Sequence, residues 1–409
     1  MSEGVLRNIG TLAVCRKQHA EDFSECRNAA LAWRDGRIAW FGADADLPAE
    51  FHAVPATDAD AGLVTPGLID CHTHMGFGGW RSDEFALRCA GKSYLEIARS
   101  GGGIQSTVAA TRATDRDTLL QRCSQFAAEM LQLGVTSFEA KSGYGLSVEA
   151  ECKQLQVYRA LADGIPQTVV VTFLGAHTIP PEYRCRRAEY VALLRDQLIP
   201  QIAGEGLARF CDIFVEETAF SIAEARQILA AARDHGLGIK VHADQLTSSG
   251  GAELAAEFEA ISAEHLEFCS DRGLIAMSKA GVVAVSLPLA SLYLGDTYLD
   301  ARRCLQAGVD VAVASDFNPG SAPSFHLPLA LTLACLKQGM TPTQALHGAT
   351  INAAKALDLE QEIGSIEVGK RADLARFDAP NVNHWLYHFR ANACQGVVIN
   401  GNPVTPENR

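Results

Sequence analysis

The segment at residues 63–75 reads Leu63-Val64-Thr65-Pro66-Gly67-Leu68-Ile69-Asp70-Cys71-His72-Thr73-His74-Met75. The apolar run up to Ile69, interrupted by a turn-forming Pro-Gly pair, predicts a short buried strand with two histidines following its carboxyl end. Side chains alternate faces along an extended segment, so His72 and His74 should point the same way. Two neutral imidazoles on one face suit zinc or iron. Two surface histidines at a strand end would give the same pattern, so a metal site requires further ligands elsewhere in the chain.

The composition indicates a globular protein that acts on a small molecule. The 409 residues suffice for one large domain and a smaller one. A formal net charge of -13 argues against general affinity for nucleic acid or an anionic membrane, because both need a basic surface.

The amino terminus lacks the apolar core of a signal peptide, and no run approaches about 18 apolar residues. The 12 cysteines include no Cys-x-x-Cys pair, which favours reduced residues. We therefore expect a cytoplasmic protein.

Both ends of the chain are rich in predicted strands. An Asp35-Gly36 turn within residues 31–41 predicts a β-hairpin. Residues 372–378 are strand-like, and residues 396–404 contain a strand that runs into an Asn400-Gly401 turn. We therefore predict a small composite β-sandwich domain from residues 1–64 and 358–409, with a second domain between them at 65–357.

The middle of the chain alternates short apolar runs with longer helical patterns. The eight runs are Leu63–Asp70, Val135–Ala140, Thr168–Leu174, Phe210–Val215, Leu237–Val241, Ala260–Ala263, Val282–Leu287 and Val309–Ala314. Capping boxes at Ser221–Glu224 and Thr341–Gln344 mark two helix starts between or after them. Eight β-then-α units predict an α/β fold built as a closed parallel (β/α)8 barrel, although periodicity alone also allows a doubly wound open sheet.

Titratable side chains follow seven of the eight runs. They are His72 and His74 after the first, Lys141 and Tyr144 after the second, His177 after the third, Glu216 and Glu217 after the fourth, His242 and Asp244 after the fifth, His265 after the sixth and Asp316 after the eighth. In a barrel these positions converge on one rim, where such enzymes keep their active sites. Taken singly, a lone histidine is more often a hydrogen-bonded structural residue, and an Asp at the start of Asp316–Gly320 commonly forms a turn. The joint pattern favours a metal site.

The predicted metal site suggests hydrolysis. A metal held by His72, His74, His242 and Asp316 would have three neutral nitrogen donors and one carboxylate, with room left for water. Such a cation lowers the pKa of its water towards neutrality and supplies hydroxide.

Several segments of the sequence carry a family resemblance. The Pro66–His74 run, the later lone histidines and the Ser315–Gly320 loop resemble the amidohydrolase superfamily, whose members are metal-dependent barrels with a small β-sandwich formed from both chain ends. Within it, the chain resembles the imidazolonepropionase family in five segments: Arg81–Phe85, Ser100–Ile104, Glu139–Leu146, Phe173–His177 and Asp316–Ser321. The resemblance implies hydrolysis of the cyclic amide C-N bond of 4-imidazolone-5-propanoate to N-formimidoyl-L-glutamate in histidine degradation. It also implies one divalent or trivalent metal ion per chain, zinc or iron, and a homodimer.

The resemblance implies specific site residues as well. The metal ligands fall on His72, His74, His242 and Asp316, and the substrate-binding positions fall on Arg81, Tyr144, His177, Gln245, Asn318, Gly320 and Ser321. The chemistry agrees, because the guanidinium of Arg81 suits the substrate's propionate, with the Tyr144 hydroxyl beside it. His177 could donate to the ring carbonyl as negative charge develops there, and Gly320 allows close backbone approach.

Proton transfer is assigned differently from part of that family. Some relatives carry Glu where this chain has Gln245, and an amide cannot accept a proton. We therefore expect His265 and Asp316 to move protons, with Gln245 as a hydrogen-bonding contact, so that the catalytic residues would be His265, Asp316 and His177.

The sequence leaves three further questions open. Residues 288–293 stand where a glycine-containing loop is usual, so one wall of the pocket is undefined. Lys141 raises the question of a carbamylated lysine that bridges two metals, but its Lys-Ser-Gly-Tyr-Gly motif favours one metal. The alternative functions are another mononuclear amidohydrolase, such as a deaminase of a guanine- or cytosine-like base, and a barrel that binds an imidazole-derived ligand without catalysis.

Overall fold

The computed structural model describes residues 2–16, 25–92, 96 and 102–404. Its strands are β1 (Gly4–Ala13), β2 (Glu25–Arg34), β3 (Arg37–Ala43), β4 (Ala56–Asp58), β5 (Leu63–Pro66), β6 (Leu68–Asp70), β7 (Val135–Lys141), β8 (Thr168–Ala176), β9 (Phe210–Val215), β10 (Gly238–Ala243), β11 (Ser262–His265), β12 (Val283–Ser286), β13 (Val311–Val313), β14 (Leu374–Phe377), β15 (Cys394–Ile399) and β16 (Asn402–Val404). These strands form two sheets.

Helices connect most of the strands. They are α1 (Ser82–Cys89), α2 (Ile104–Ala113), α3 (Arg116–Gln132), α4 (Val148–Gly164), α5 (Arg187–Leu193), α6 (Ile199–Gly204), α7 (Ile222–Asp234), α8 (Gly251–Glu257), α9 (Asp271–Ala280), α10 (Pro288–Leu294), α11 (Ala301–Gln306), α12 (Leu327–Gln338), α13 (Pro342–Gly348), α14 (Ile351–Ala356) and α15 (Val382–Tyr387). The predicted capping boxes start α7 and α13, where Ser221 and Thr341 accept from the backbone N–H three residues on. None of the helices in the described part of the chain is both long and apolar enough to span a bilayer.

One sheet is built from both ends of the chain. Its strand order is β16-β15-β14-β5-β1-β2-β3, with β4 beside β1. The predicted hairpin at Asp35-Gly36 is confirmed as the antiparallel pair β2–β3. The predicted strand and turn at Asn400-Gly401 are also confirmed, since the turn joins the antiparallel strands β15 and β16. Strand β14 pairs antiparallel with β5, and the Trp33 indole N–H donates to the Gly401 carbonyl at 2.7 Å. The predicted sheet from both termini is therefore confirmed, while its exact domain limits stay a prediction.

The other sheet is a nearly closed parallel barrel. Its order, β6 to β13, follows the chain, so the barrel prediction is confirmed and the doubly wound alternative is wrong. Closure comes from the loops that follow the first and last strands. Thr73 forms a parallel bridge with Phe317, and the Asp316 N–H donates to the His72 carbonyl at 3.1 Å. The backbone N–H of Ser315 donates to the buried Asp70 carboxylate at 3.0 Å. The barrel therefore closes at the loops that carry the predicted metal ligands.

The chain passes from one sheet to the other at Pro66-Gly67. The single strand predicted over Leu63–Asp70 is wrong, because the run is two strands, β5 in the terminal sheet and β6 in the barrel. Proline cannot donate to a ladder, which favours a break at this point. A Cβ on the buried Gly67 would lie 2.1 Å from Thr136 Oγ1 on β7, so the glycine lets the chain turn close against the barrel.

We expect Gly67→Ala to lower the free energy of unfolding by about 1–3 kcal/mol, because the added methyl overpacks against Thr136. Gly164→Ala is the matched control, since a Cβ there meets nothing within 4 Å and α4 tolerates alanine. Chemical denaturation followed by circular dichroism measures both midpoints. Equal midpoints for the two variants would contradict the packing argument.

Candidate metal centre

The barrel rim gathers the histidines that the sequence singled out. His72 and His74 follow β6, His242 lies on β10 and His265 ends β11, all at the carboxyl ends of parallel strands. The Nε2 atoms of His72 and His74 lie 3.1 Å apart. The ring of His242 is centred 4.7 Å from that of His72 and 5.5 Å from that of His74. One ligand atom from each of the three lies within 4.8 Å of the others, so they can share one ion.

Asp316 lies beside this cluster. Its Oδ1 is 3.4 Å from His72 Nε2 and 3.5 Å from His74 Nε2. Its backbone has a φ of +57°, a conformation unusual for a residue with a Cβ, and the hydrogen bond to the His72 carbonyl holds it there. The structure therefore brings all four predicted ligands together.

The protonation states suit a metal. Burial lowers the pKa of His72 and His74 well below the ordinary value, so both rings are neutral and offer lone pairs. His242 Nε2 is buried and has no hydrogen-bond partner, while its Nδ1 lies 3.0 Å from Asp212 Oδ2. A buried nitrogen without a partner costs free energy that a bound cation would offset. A carboxylate behind a ligating imidazole is the usual arrangement that orients it, so the donor set fits zinc or iron.

A network of buried charges fills the barrel beneath the histidines. Lys141 Nζ lies 2.7 Å from Asp212 Oδ2, 3.0 Å from Glu139 Oε2 and 3.5 Å from Glu264 Oε2. Lys240 Nζ lies 3.0 Å from Glu139 Oε1. Burial opposes the charged form of Lys141, but these carboxylates hold its pKa above the ordinary value, so it is an ammonium. It is therefore not a free amine that could be carbamylated.

The sequence prediction missed four members of this network: Glu139, Asp212, Lys240 and Glu264. Asp212 and Lys240 lie inside the apolar runs at 210–215 and 237–241, and a charged residue within such a run was the available signal. Asp212, His242 and Glu264 also form a group that could hold a cation. The Lys141 ammonium already contacts both carboxylates of that group.

Two other strand-end carboxylates have structural roles. Glu216 Oε2 accepts from the backbone N–H of Leu246 and Thr247. Asp244 Oδ1 accepts from three successive backbone N–H groups at the start of α8, including that of Ser249 at 2.7 Å. Both groups fix the loop that follows β10, where the half-buried Gln245 lies.

The predicted substrate residues lie around the same mouth. The Arg81 guanidinium packs over Gly320, because a Cβ there would lie 2.4 Å from Nη1. Glu84 accepts from Arg81 Nε at 3.0 Å and from the Gly103 backbone N–H at 2.8 Å. Ser100 and Gly101 of the predicted Ser100–Ile104 motif lie outside the described residues. The group that approaches the Gly320 backbone closely is thus the Arg81 side chain.

Asn318 organises the loop after β13. Its Nδ2 donates to the Asp316 carbonyl at 2.6 Å and to Ser321 Oγ at 2.8 Å, and its Oδ1 accepts from the backbone N–H of Gly320 and Ser321. Ser321 Oγ donates to Asp316 Oδ2 at 3.3 Å. The loop is therefore rigidly tied to the predicted ligand Asp316.

His177 stacks on His74 with ring centroids 5.2 Å apart, and Tyr144 lies 5.5 Å from His177. Nδ1 of His177 lies 3.2 Å from the Gly143 carbonyl oxygen. A carbonyl oxygen can only accept a hydrogen bond, so Nδ1 of His177 carries the proton. Burial lowers the pKa of His177 to about 3. In this neutral form Nε2 is an acceptor, so the predicted donation to a ring carbonyl requires the imidazolium or the other tautomer.

The pocket wall at residues 288–293 is helical. The seventh strand, β12, leads into α10, which has Pro288 in its first turn and buries Leu289. Arg88 of α1 lies over the Tyr293 ring, 4.9 Å from its centroid. A short helix therefore takes the place of the expected loop.

Known proteins resemble this chain over nearly all of its length. The amidohydrolase family model matches residues 63–404. The imidazolonepropionase of Symbiobacterium thermophilum is 46% identical over 399 residues, which cover 96% of this chain and 94% of the relative. That of Cupriavidus necator is 45% identical over 401 residues, with 98% and 95% covered.

Solved structures share the fold at much lower identity. A triazine hydrolase from Arthrobacter aurescens has a TM-score of 0.78 at 16% identity, covering 99% of this chain and 95% of that one. The guanine deaminase of E. coli has a TM-score of 0.75 at 16% identity, with both chains fully covered. At this level of identity the likeness concerns the fold alone.

We expect chelator-treated protein to gain thermal stability when Zn²⁺ is added, by about 2.7 kcal/mol at a hundredfold excess over Kd, because the ion binds only the folded state. His74→Ala should lose most of this gain. His235→Ala is the control, since His235 is exposed at the end of α7. Calorimetry with and without Zn²⁺ measures the shifts, and an equal gain in all three proteins would place the ion elsewhere.

Proposed function

The chain belongs to the amidohydrolase family and, within it, to the imidazolonepropionases, and on that premise we propose how its site performs the hydrolysis. The reaction opens the cyclic amide of 4-imidazolone-5-propanoate to N-formimidoyl-L-glutamate, a step of histidine degradation. The observation that carries the proposal is the gathering of three imidazoles and Asp316 at one barrel rim, with Arg81 on the adjoining loop.

His72, His74, His242 and Asp316 are the proposed ligands of one zinc or iron ion. When bound, such an ion lowers the pKa of a water molecule and polarises the amide carbonyl. Imidazole and carboxylate donors suit both metals, so the ligand set does not choose between them. Asp212 supports this assignment, because its carboxylate lies 3.0 Å from His242 Nδ1 while Nε2 of the same ring is buried without a hydrogen-bond partner.

A single ion per chain fits the charges below the site. A second cation would need the carboxylates of Asp212 and Glu264, and Lys141 Nζ lies 2.7 Å and 3.5 Å from them. Coulomb repulsion between an ammonium and a divalent ion at such a distance is strong in a buried site. The Lys141 ammonium thus occupies the position beside Asp212 and Glu264 that a second metal ion would need.

Arg81 is the proposed anchor of the substrate's propionate. A guanidinium fork binds a carboxylate through two parallel hydrogen bonds, and the Tyr144 hydroxyl could add a third. Asn318, Gly320 and Ser321 would line the side of the ring next to Asp316. His177 and Gln245 would contact polar atoms of the ring, with the neutral His177 accepting from a ring N–H through Nε2.

Proton transfer is proposed for Asp316 and His265. Attack by water forms a C–O bond at the amide carbon, and the ring nitrogen must gain a proton as the C–N bond breaks. As a ligand of the ion, Asp316 would take the proton that the attacking water loses. The His265 ring is centred 5.5 Å from that of His242 and 6.0 Å from that of His72, so it borders the same space.

The assembly and the location follow the sequence predictions. We propose a homodimer, as the family resemblance implies, and a cytoplasmic enzyme. All twelve cysteines are free, which fits a reducing compartment.

We expect Arg81→Ala to reduce kcat/KM for imidazolonepropionate by about 100-fold or more, because a charged hydrogen-bonded pair contributes about 1.5–3 kcal/mol per bond. A substrate analogue without the carboxylate should be turned over equally by the variant and by the parent protein. Arg116→Ala, at a half-exposed position on α3, serves as the control. Unchanged turnover of imidazolonepropionate in Arg81→Ala would contradict the role of Arg81 as the propionate anchor.

The decisive experiment measures turnover and metal content on one sample. Freshly generated imidazolonepropionate should lose its absorbance when the protein is added, with one zinc or iron ion per active chain by elemental analysis. Steady absorbance with the ion present would point to a binding protein without catalysis. Two ions per active chain would overturn the role given to Lys141.

A further inference from the structure

A buried carboxyl group that the proposed chemistry leaves unused lies beside His265. The Glu267 side chain is 5% exposed, and its Oε2 lies 3.8 Å from His265 Nδ1. Both atoms are buried, and neither has a hydrogen-bond partner. Two buried polar atoms without partners, facing each other just beyond hydrogen-bond range, are a pair that a small side-chain rotation would join.

The backbone between the two residues is strained. His265 and Leu266 have φ values of +75° and +70°, and both carry a Cβ. Hydrogen bonds to β10 and to its following loop hold this turn: the Leu266 N–H donates to the Ala243 carbonyl at 3.0 Å, and the Phe268 N–H donates to the Asp244 carbonyl at 2.9 Å. Strain of this kind persists only where the surroundings enforce it, and it often marks a functional position. Here it places the Glu267 carboxyl group against the His265 ring.

The surroundings of Glu267 favour its acid form. Burial raises the pKa of Glu267 to about 8, and the nearby carboxylates of Asp316 and Asp296 act in the same direction, against a hydrogen bond from the Ser291 hydroxyl. Ser291 belongs to α10, the helix that replaces the expected loop. The charged or titratable groups that act on His265 itself are His242, Asp212, Lys141 and His177.

We propose that Glu267 is a positioning residue that acts through His265: as a carboxylic acid it donates to Nδ1 and so fixes the tautomer that carries the proton on Nε2. That nitrogen is then ready to protonate the leaving ring nitrogen. The transfer balances, since Nε2 gives its proton to the ring nitrogen while Nδ1 takes the Glu267 proton; the proton lost by the attacking water then returns to Nε2, and Nδ1 gives its proton back to Glu267. This inference rests on the proposed function, because His265 has its role only in that reaction.

The tautomer gives the reaction a defined alkaline limit. Once Glu267 ionises, its carboxylate must accept from Nδ1–H, and Nε2 loses the proton that the reaction needs. Activity that depends on this acid is therefore present below its pKa and is lost as the pH rises through it. Glutamine at position 267 can still donate an N–H to Nδ1 but cannot ionise, whereas leucine can do neither.

The test compares kcat against pH for the parent protein, Glu267→Gln and Glu267→Leu. We expect an alkaline limb near pH 8 in the parent protein, its absence in Glu267→Gln, and a loss of kcat of about a hundredfold in Glu267→Leu with little change in KM. Glu217→Gln is the matched control, because Glu217 is exposed on the loop after β9. The same alkaline limb in Glu267→Gln and the parent protein would overturn the inference, even if the leucine variant did not fold.

A readout without turnover separates this inference from the proposed function. The side-chain ¹⁵N chemical shifts of His265 report its tautomer in metal-loaded protein without substrate. We expect Nε2 to be protonated at pH 7 in the parent protein and in Glu267→Gln, and the population to shift towards Nδ1 protonation at pH 9 in the parent protein only. If the His265 tautomer changes neither with pH nor with the substitutions, the role of Glu267 is wrong. If the parent protein does not turn over the substrate, the proposed function alone is wrong.

Discussion

Hydrogen bonds between two loops far apart in the sequence decide whether this protein has a site at all. The loop after β6 and the loop after β13 meet through the His72 carbonyl and the Asp316 N–H, and through the His74 N–H and the Phe317 carbonyl at 2.8 Å. Asp70 and Ser315, 245 positions apart, add a side-chain contact. These bonds close the barrel and set the places of three proposed ligands at once. The same hydrogen bonds therefore determine both the closure of the barrel and the positions of the proposed ligands.

The charges in the barrel explain why a cation belongs there. Glu139, Asp212 and Glu264 contact the ammonium group of Lys141. Lys240 contacts Glu139 and Glu264, and the Asp316 carboxylate lies beside His72 and His74. Burying an uncompensated charge costs several kcal/mol, so a divalent ion would complete the balance. Without one, burial raises the pKa of Asp316 to about 7 and raises that of Glu264 as well, which favours their neutral forms. This charge balance supports the proposed binding of a single cation.

The sequence predicted the barrel and the neighbourhood of the site because both follow from periodicity. Parallel strands bring their carboxyl ends to one rim, so residues such as His72 and Asp316 had to converge once the barrel formed. The lysine-carboxylate network was missed, because Asp212 and Lys240 lie within apolar runs whose interior facing depends on barrel closure. The break at Pro66-Gly67, the tautomer of His177 and the helix at 288–294 each depend on tertiary contacts. The roles of the individual site residues remain predictions that only chemistry can test.

The terminal sheet has a consequence for how the enzyme is made. Strand β5 lies between β1, near the start of the chain, and β14, near its end, and the chain continues from β5 directly into β6. On the ribosome, the barrel cannot close until β13 has emerged, and the terminal sheet cannot be completed until β14 to β16 have followed, since contacts between distant segments form late. The proposed ligand set is likewise incomplete until Asp316, which follows β13, has been made, so a shorter nascent chain lacks the proposed metal site.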